Sequence, residues 1–513
     1  MASPLSSSQT TPSRNPVPST LTNLRAFVND PPLPPPARIP ARAFAIGYSA
    51  NVVLDGLLPL ALRKKPAREA LRSFFALKSL QSGTVLALFS ALYKVLLTRL
   101  TAIRLHLLSK TRAADDVDDK RLVRLLQSVS LVTFSAALAA SSVLAAFPIP
   151  SLRRSMALWL GTKAIENLYT HLRSIKSRTV AWIPNWIGGG FFYALSNGQL
   201  LWTFLFEPSC FPTSYGRVIL ARSTSYIPPR PAGLPTSIPW PAPRDIADTI
   251  ATLSTPTSTS AAYPGFKAPV LSGLTPAKYP TTRHALINPI LDYAPAHPAH
   301  TRLLCAILHP TEPSCSRNFL SFFAREWQAS AKFVAAFTAL TQLLSYKKVL
   351  KDPETALFRF ALAVVQGATV ISGSIGTAWG LTCFFQQYLP RTFLPTTRYF
   401  LNGFLSSVFI LAVPKARRAQ LGSYVTRQSL DAAWGVGKRR GWWNGVRQGE
   451  TVLLALGLAT LTSLYETRPE AVESSVRKSI GLLVGKSASA DREKQMQLQW
   501  KPQVPDEEEK KTQ

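Results

Sequence analysis

Along much of the chain the hydrophobic residues fill whole runs instead of one helical face. Leu125 to Phe147 and Phe360 to Pro390 carry no charged residue, and a helix that crosses a bilayer needs about 20 mostly apolar residues. Thr179 to Phe206 is also free of charge, but Pro184 and Gly188-Gly189-Gly190 break it, so good helix is expected from Phe191 onwards. Shorter or interrupted runs are Ala43 to Leu62 with Asp55 inside, Phe74 to Thr98 with Lys78 and Lys94, Phe333 to Tyr346, Tyr399 to Pro414, and Thr451 to Tyr465. A large soluble helical protein would give its longest helices a polar face, which the two longest runs lack. The pattern predicts an all-α, multipass helical membrane protein.

Between these clusters the pattern changes. Residues 211–300 are rich in Pro, Ser and Thr, with Pro228-Pro229-Arg230-Pro231 and Ser254-Thr255-Pro256-Thr257-Ser258 as examples, and read as a linker without a core. Residues 1–40, with Pro34-Pro35-Pro36, are expected to be disordered and show neither a signal-peptide core nor an amphipathic presequence. Residues 466–513 read as a charged, solvated tail. Two membrane modules remain, 41–210 and 301–465, the second with a short Cys/His lead-in.

The modules look duplicated. Phe75-Ala76-Leu77-x3-Gln81-x2-Thr84-Val85 recurs as Phe360-Ala361-Leu362-x3-Gln366-x2-Thr369-Val370. In that register Gly83, Ala87 and Ala91 correspond to Ala368, Ser372 and Gly376, and Gly380 extends the second series. Small residues four apart share a helix face on which a neighbouring helix approaches closely, so these positions are expected to be packing seams. Pro150-x2-Arg153-Arg154 recurs as Pro414-x2-Arg417-Arg418, each opening an amphipathic helix, and Gly198 with Glu207 weakly matches Gly457 with Glu466. Each module then has about four spans plus the amphipathic helix, which is placed at the membrane interface. Extra residues in the first copy fall in the loop holding Asp115-Asp116-Val117-Asp118-Asp119.

Charge adds one constraint. Lys and Arg number 58 against 27 Asp and Glu, a net charge of +31, yet mean hydropathy is +0.09 and only 17% of residues are charged. The bases sit in short inter-span loops such as Arg63-Lys64-Lys65 and Lys438-Arg439-Arg440. A nucleic-acid interface would gather them in a polar domain. Anionic lipid headgroups are therefore the expected partner, with a second copy or another organelle membrane protein beside them, and nucleic acid is not. In the first module, taken with four spans, Lys and Arg divide evenly between the two sides, so no orientation follows.

Chemistry is sparse. No G-x-S-x-G elbow, P-loop or H-E-x-x-H helix occurs, and no enzyme activity or cofactor is expected. His300, Cys305, His309 and Cys315 are residue types that suit zinc, but their spacing matches no standard ligand pair and prolines interrupt it, so the segment reads as a compact turn with reduced thiols. Charged groups at membrane positions form the other set: Asp55, Lys94, Lys163 with Glu166, and Arg427 with Asp431. Burying them in hydrocarbon costs several kcal/mol (about 2.5–3.5 on insertion scales) unless they are paired. They are candidates for local ion pairs or for the polar path of a transporter or channel.

Tyr193-Ala194-Leu195-Ser196-Asn197-Gly198-Gln199-x7-Glu207-Pro208, the segment Cys305-x3-His309-Pro310-x3-Ser314-Cys315, and the repeated Arg pair together resemble the transmembrane protein 135 family, also called peroxisomal membrane protein 52, in its divergent fungal-type form. The resemblance implies a multipass protein of peroxisomal membranes with links to mitochondria, organelle dynamics and lipid homeostasis, and attaches no catalytic residue. The double module is also distantly similar to the Tim17/Tim22/Tim23 translocase superfamily. A peroxisomal or mitochondrial membrane is the expected location. Lys510-Lys511 near the C-terminus leaves the endoplasmic reticulum as the alternative.

Overall fold

The apolar runs become helices because a segment surrounded by apolar groups has to satisfy its backbone N–H and C=O groups internally. The computed structural model describes residues 34–61, 66–113, 128–255 and 297–485, apart from a few positions within those ranges, and among the described residues there is no strand. The main helices in chain order are α1 (Pro35–Val52), α2 (Leu77–Ala113), α3 (Val129–Ala140), α4 (Pro150–Ser174), α5 (Gly189–Phe206), α6 (Thr213–Ser223) and α7 (Pro243–Ser254). After residues 256–296, which lie outside the described residues, come α8 (Leu303–Leu308), α9 (Cys315–Leu344), α10 (Pro353–Tyr388), α11 (Thr397–Ser406), α12 (Lys415–Arg439), α13 (Gly449–Thr467) and α14 (Ser474–Val484). Three segments are long and apolar enough to cross a membrane: Leu77–Ser109 in α2, Val129–Ala146 in α3 with its 3-10 extension, and α10. Helix α10 starts where Asp352 accepts the Thr355 N–H at 3.2 Å and Pro353 fills the first position, where no N–H is needed.

The chain forms two compact units, residues 1–181 with 446–513 and residues 182–445. In unit 1, α1 packs along α2, α3 lies against α2, and α13 covers α3 and α4. In unit 2, α9 packs along α10, α11 lies against α10, and α5 covers α11 and α12. Both α3 and α11 end in a 3-10 turn, at Ser141–Ala146 and Ser407–Ala412. The expected module boundaries, 41–210 and 301–465, are therefore not those of the units: α5 lies with helices that follow it in the chain, and α13 with helices that precede it.

Polar side chains account for those partners. On α5, Ser196 donates to Thr426 (3.1 Å), Asn197 to Ser407 (3.1 Å), and Gln199 accepts from Ser429 (2.8 Å). Beyond the helix end, Glu207 pairs with Arg440 at 2.9 Å. On α13, Ser463 accepts from Thr133 at 3.1 Å, and Glu450 holds Arg153. Such bonds between helices join small-on-small packing as the forces that select a partner in an apolar surrounding. A Cβ on Gly403 would stand 2.4 Å from the Asn197 carbonyl oxygen, and one on Gly457 would stand 2.9 Å from the Gly161 nitrogen. The backbones approach too closely for a side chain at either place.

Each Arg pair has one member with a structural use, at a different position of the pair. Arg153 reaches back to the Ala145 carbonyl at 3.0 Å, and Arg418 to those of Leu411 (2.7 Å) and Val413. Each satisfies carbonyls left open at the end of the preceding helix. Arg154 and Arg417 are exposed. The amphipathic helices after them turn inward the face that holds their small and polar residues. In α4, Gly161, Thr162, Lys163 and Asn167 are buried while Ile165 is 68% exposed; in α12, Gly422, Ser423 and Ser429 are buried while Tyr424, Leu430 and Trp434 face out.

Three segments expected to lack structure are partly folded. Helix α1 begins at Pro35, inside the stretch 1–40. Within the expected linker, α7 buries Ile246, Ala247 and Ile250 at helical spacing, and Arg244 donates to the Phe204 carbonyl at 2.8 Å. Within the expected tail, α14 buries Val476, Ile480 and Val484, four apart, and Ser90 donates to the Leu483 carbonyl at 2.7 Å. In each case proline or charge content averaged over a long window conceals a short amphipathic helix. Residues 1–33, the Asp115–Asp119 loop and 486–513 with Lys510-Lys511 lie outside the described residues.

Candidate functional site

The densest chemistry lies in unit 2. Helix α8 carries Cys305; its C-cap is His309, whose N–H donates to the Cys305 carbonyl at 2.9 Å, so the two side chains leave the same helix end. Cys315 opens α9 after the turn, and Cys383 comes from the last part of α10. The sulfurs of Cys305 and Cys315 are 4.0 Å apart, His309 Nε2 is 3.4 Å from Cys383 Sγ, and the four potential ligand atoms all lie within 4.8 Å of one another. Cys305, His309 and Cys383 are buried, and Cys315 is half-buried.

The surroundings orient this cluster. His309 Nδ1 is 2.8 Å from the Glu312 carbonyl oxygen, which can only accept a hydrogen bond, so Nδ1–H donates and Nε2 is turned toward the sulfurs. His300 Nε2 stands 3.0 Å from the His309 carbonyl oxygen. Burial opposes charge on the His309 ring, but hydrogen bonding to Cys305 and Cys315 outweighs it and pushes the pKa up to about 10. Hydrogen bonds from Cys305, Cys383 and His309 push the Cys315 thiol far down. Nearby, burial and then the charge of Cys383 raise the Tyr226 pKa, against a hydrogen bond with Asn318 that lowers it. Of the sequence candidates, Cys305, His309 and Cys315 thus converge, and His300 supports them from behind. Cys383 was legible only as a lone cysteine in an apolar run, with nothing to link it to residues some seventy positions earlier.

Beside the cluster is a cavity of about 170 Å³, lined by Tyr193, Leu200, Val370, Ile375, Trp379 and Tyr399 among others. Arg222 lines it, stacks over Phe333 at 5.1 Å, and stands 3.5 Å from the buried Glu326 carboxylate. Trp379 is fixed by its Nε1–H bond to Ser223 at 3.0 Å. The cavity suits hydrocarbon, with one cationic group at its wall.

The remaining sequence candidates lie elsewhere in the two units. Gly83 packs against Phe44, while Ala87 and Ala91 are half-buried. On α10, Ala368, Ser372 and Gly376 are buried; Gly376 faces Phe322 and Phe319, and Gly380 also faces Phe319. That seam seats α9. Lys163 is buried and holds Glu166 at 2.8 Å and Glu473 at 2.9 Å, while Asn167 accepts the Glu473 N–H at 2.7 Å. The local pair is therefore part of a network anchoring the start of α14, which the pairing of Lys163 with a residue 310 positions away hid from sequence reading. Arg427 donates to the Ser423 carbonyl at 3.3 Å and lies over Tyr424, with Asp431 half-buried one turn on. Asp55 sits in a π-helical turn at Val53–Leu57, and Lys94 is half-buried in α2. Asp55, Lys94 and Lys163 belong to unit 1 and Arg427 and Asp431 to unit 2.

Compared with known proteins, the chain matches no family model, no curated protein and no solved structure.

Proposed function

We propose that the protein is a non-enzymatic, multipass integral membrane protein of a peroxisomal or mitochondrial membrane, acting in lipid homeostasis or organelle dynamics. The observation that carries this reading is the number of large apolar side chains that long helices present outward while small and polar residues share their contacts. Leu357 (68% exposed), Phe337 (64%), Leu88 and Val365 point outward from long helices, whereas Ser, Thr, Asn and Gly line the helix contacts. Lipid around the bundle makes that arrangement favourable, because tails solvate apolar side chains and helices then associate through small and polar groups. The apolar cavity of unit 2 supports the lipid side of the proposal.

The common helix order of the units supports an ancestral duplication in which the last helix of each copy came to complete the other unit. Two modules of about four spans each are part of the same proposal. The test is alkaline extraction of membranes from cells producing the tagged full-length chain, together with imaging against peroxisomal, mitochondrial and reticular markers. Retention in the pellet with peroxisomal or mitochondrial coincidence is the expected result. Release into the supernatant overturns the membrane reading, and a purely reticular pattern overturns the organelle.

A further inference from the structure

We propose that Cys305, His309, Cys315 and Cys383 bind a zinc ion in a closed structural site that clamps the segment before α9 onto the end of α10. In a regular tetrahedron with Zn–S near 2.3 Å and Zn–N near 2.0–2.1 Å, ligand atoms stand about 3.6–3.8 Å apart. The Cys305–Cys315 separation of 4.0 Å and the His309–Cys383 separation of 3.4 Å bracket that range. Three sulfurs and one imidazole are a common structural zinc set, and thiolates disfavour the hard cations calcium and magnesium. His309 offers Nε2 while its Nδ1–H is held by the Glu312 carbonyl, the second contact that ligating histidines ordinarily have.

Burial adds to the case. Cys305, His309 and Cys383 are buried, so the site gathers metal-ligating groups away from water. All four positions are filled by protein, with none open for water or substrate, which is the arrangement of a structural site. On binding, the thiols that still carry a proton and the protonated His309 ring release theirs to solvent, leaving three thiolates and a neutral ring whose Nε2 supplies its lone pair, so no oxidant or reductant enters. A disulfide between Cys305 and Cys315 needs the sulfurs at about 2.05 Å and would leave His309 facing Cys383 without purpose.

The site also explains a sequence pattern that matches no standard motif. Helix α8 is a single short helix, too brief to persist alone in water. Tying its end to α9 and α10 gives three elements one shared anchor, and the ligand that closes the set comes from the far end of a membrane-length helix.

The test uses the full-length protein purified in detergent without added metal or chelator, with zinc measured by elemental mass spectrometry. About one zinc per chain is expected for the wild type and for Cys210→Ser, whose thiol lies outside the cluster, and a loss to near zero for Cys383→Ser and His309→Gln. Cobalt(II) added to chelator-treated wild type should give the intense absorption of tetrahedral cobalt thiolate. Because the variants could fail to fold, maleimide labelling of the wild type decides independently. Cys305, Cys315 and Cys383 should be protected with zinc bound and labelled once a chelator removes it. Absence of zinc and of the cobalt spectrum, full zinc in both ligand variants, labelling indifferent to the chelator, or a Cys305–Cys315 disulfide in the unreduced protein would each overturn the site.

Discussion

Units 1 and 2 share a helix order but are closed by different means. Unit 1 closes with charge: Arg153 with Glu450 at the start of α13, and Lys163 with Glu166 and Glu473 at the start of α14. Unit 2 closes with neutral hydrogen bonds along α5, with the Glu207–Arg440 pair just beyond it, and with the Cys/His cluster that ties α8 and the start of α9 to the end of α10. The shared part is packing, which any sequence with small residues four apart can supply. The part that differs lies in the added segments, α6 to α8 in one unit and α14 in the other. A helical frame thus persists while specific chemistry is attached at its ends.

The sharpest way to break the comparison is at the close backbone contact of unit 2. Gly403→Leu forces a side chain into the Asn197 carbonyl, and overpacking of this kind costs about 1–3 kcal/mol or more. Thermal unfolding in detergent should show a clear loss of stability, and steady-state abundance should fall. Gly376→Leu, which meets the Phe322 ring at 3.0 Å, should be milder because a side chain can yield where a backbone cannot. Equal effects from the two would remove the distinction between backbone and side-chain seams.

In unit 1 the corresponding blow is Arg153→Ala. It strips Glu450 of its partner and leaves the Ala145 carbonyl open, at a cost of about 1.5–3 kcal/mol for hydrogen bonds to a charged group. The expected readout is a lower unfolding temperature, partly recovered by Arg153→Ala with Glu450→Gln, since the second change removes the uncompensated carboxylate. A double variant no better than the single one would show that the carbonyl contact alone matters.

Lys163→Met should act locally. Without its partner Glu473 the start of α14 loosens, and trypsin should cut at Arg477 or Lys478 faster than in the wild type while the rest of the fold persists. The same contact predicts a pH window. For Glu473, burial opposes the charge but the bond from Lys163 outweighs it and lowers the pKa, so its contribution is present above its ordinary carboxylate pKa and fades as pH falls through the lowered one. For Lys163, burial again opposes the charge but Glu166 and Glu473 raise its pKa, so its contribution is present below its ordinary value and fades as pH rises through the raised one. Hydrogen-exchange protection of α14 should therefore hold at neutral pH and be lost in strong acid; an unchanged tryptic rate at neutral pH in Lys163→Met would dismiss the anchor.

The smallest perturbation addresses the placement of α5. Cysteines at Ser196 and Thr426, whose hydroxyls are 3.1 Å apart, should form a disulfide under mild oxidation with little change in stability. A failure to cross-link would mean that α5 does not complete unit 2. The largest effects thus probe closure of each unit, and the smallest probes which helix closes it.

Several features were legible in the amino-acid order because they depend on local periodicity or composition. The charge-free runs at 125–147 and 360–390 fall on helices of membrane-crossing length, and Ala368, Ser372 and Gly376 share the buried face of one of them. The short helices α7 and α14 were missed although Ile246, Ile250, Val476 and Ile480 stand at helical spacing, because proline content and charge were weighed over windows far longer than three turns. Of the Cys/His cluster, three members lie within eleven residues and were visible as a set; the fourth arrives from α10.

What the sequence by itself determined is therefore the all-helical character and, on α10, the face on which small residues fall, since each follows from neighbours along one helix. What only the tertiary structure decided is which distant segment meets which: α5 with α12, α13 with α4, Glu473 with Lys163, Cys383 with His309. Hydrocarbon around a helix gives no preference among partners, so that choice falls to a few polar groups and close backbone contacts whose complementarity exists only in three dimensions.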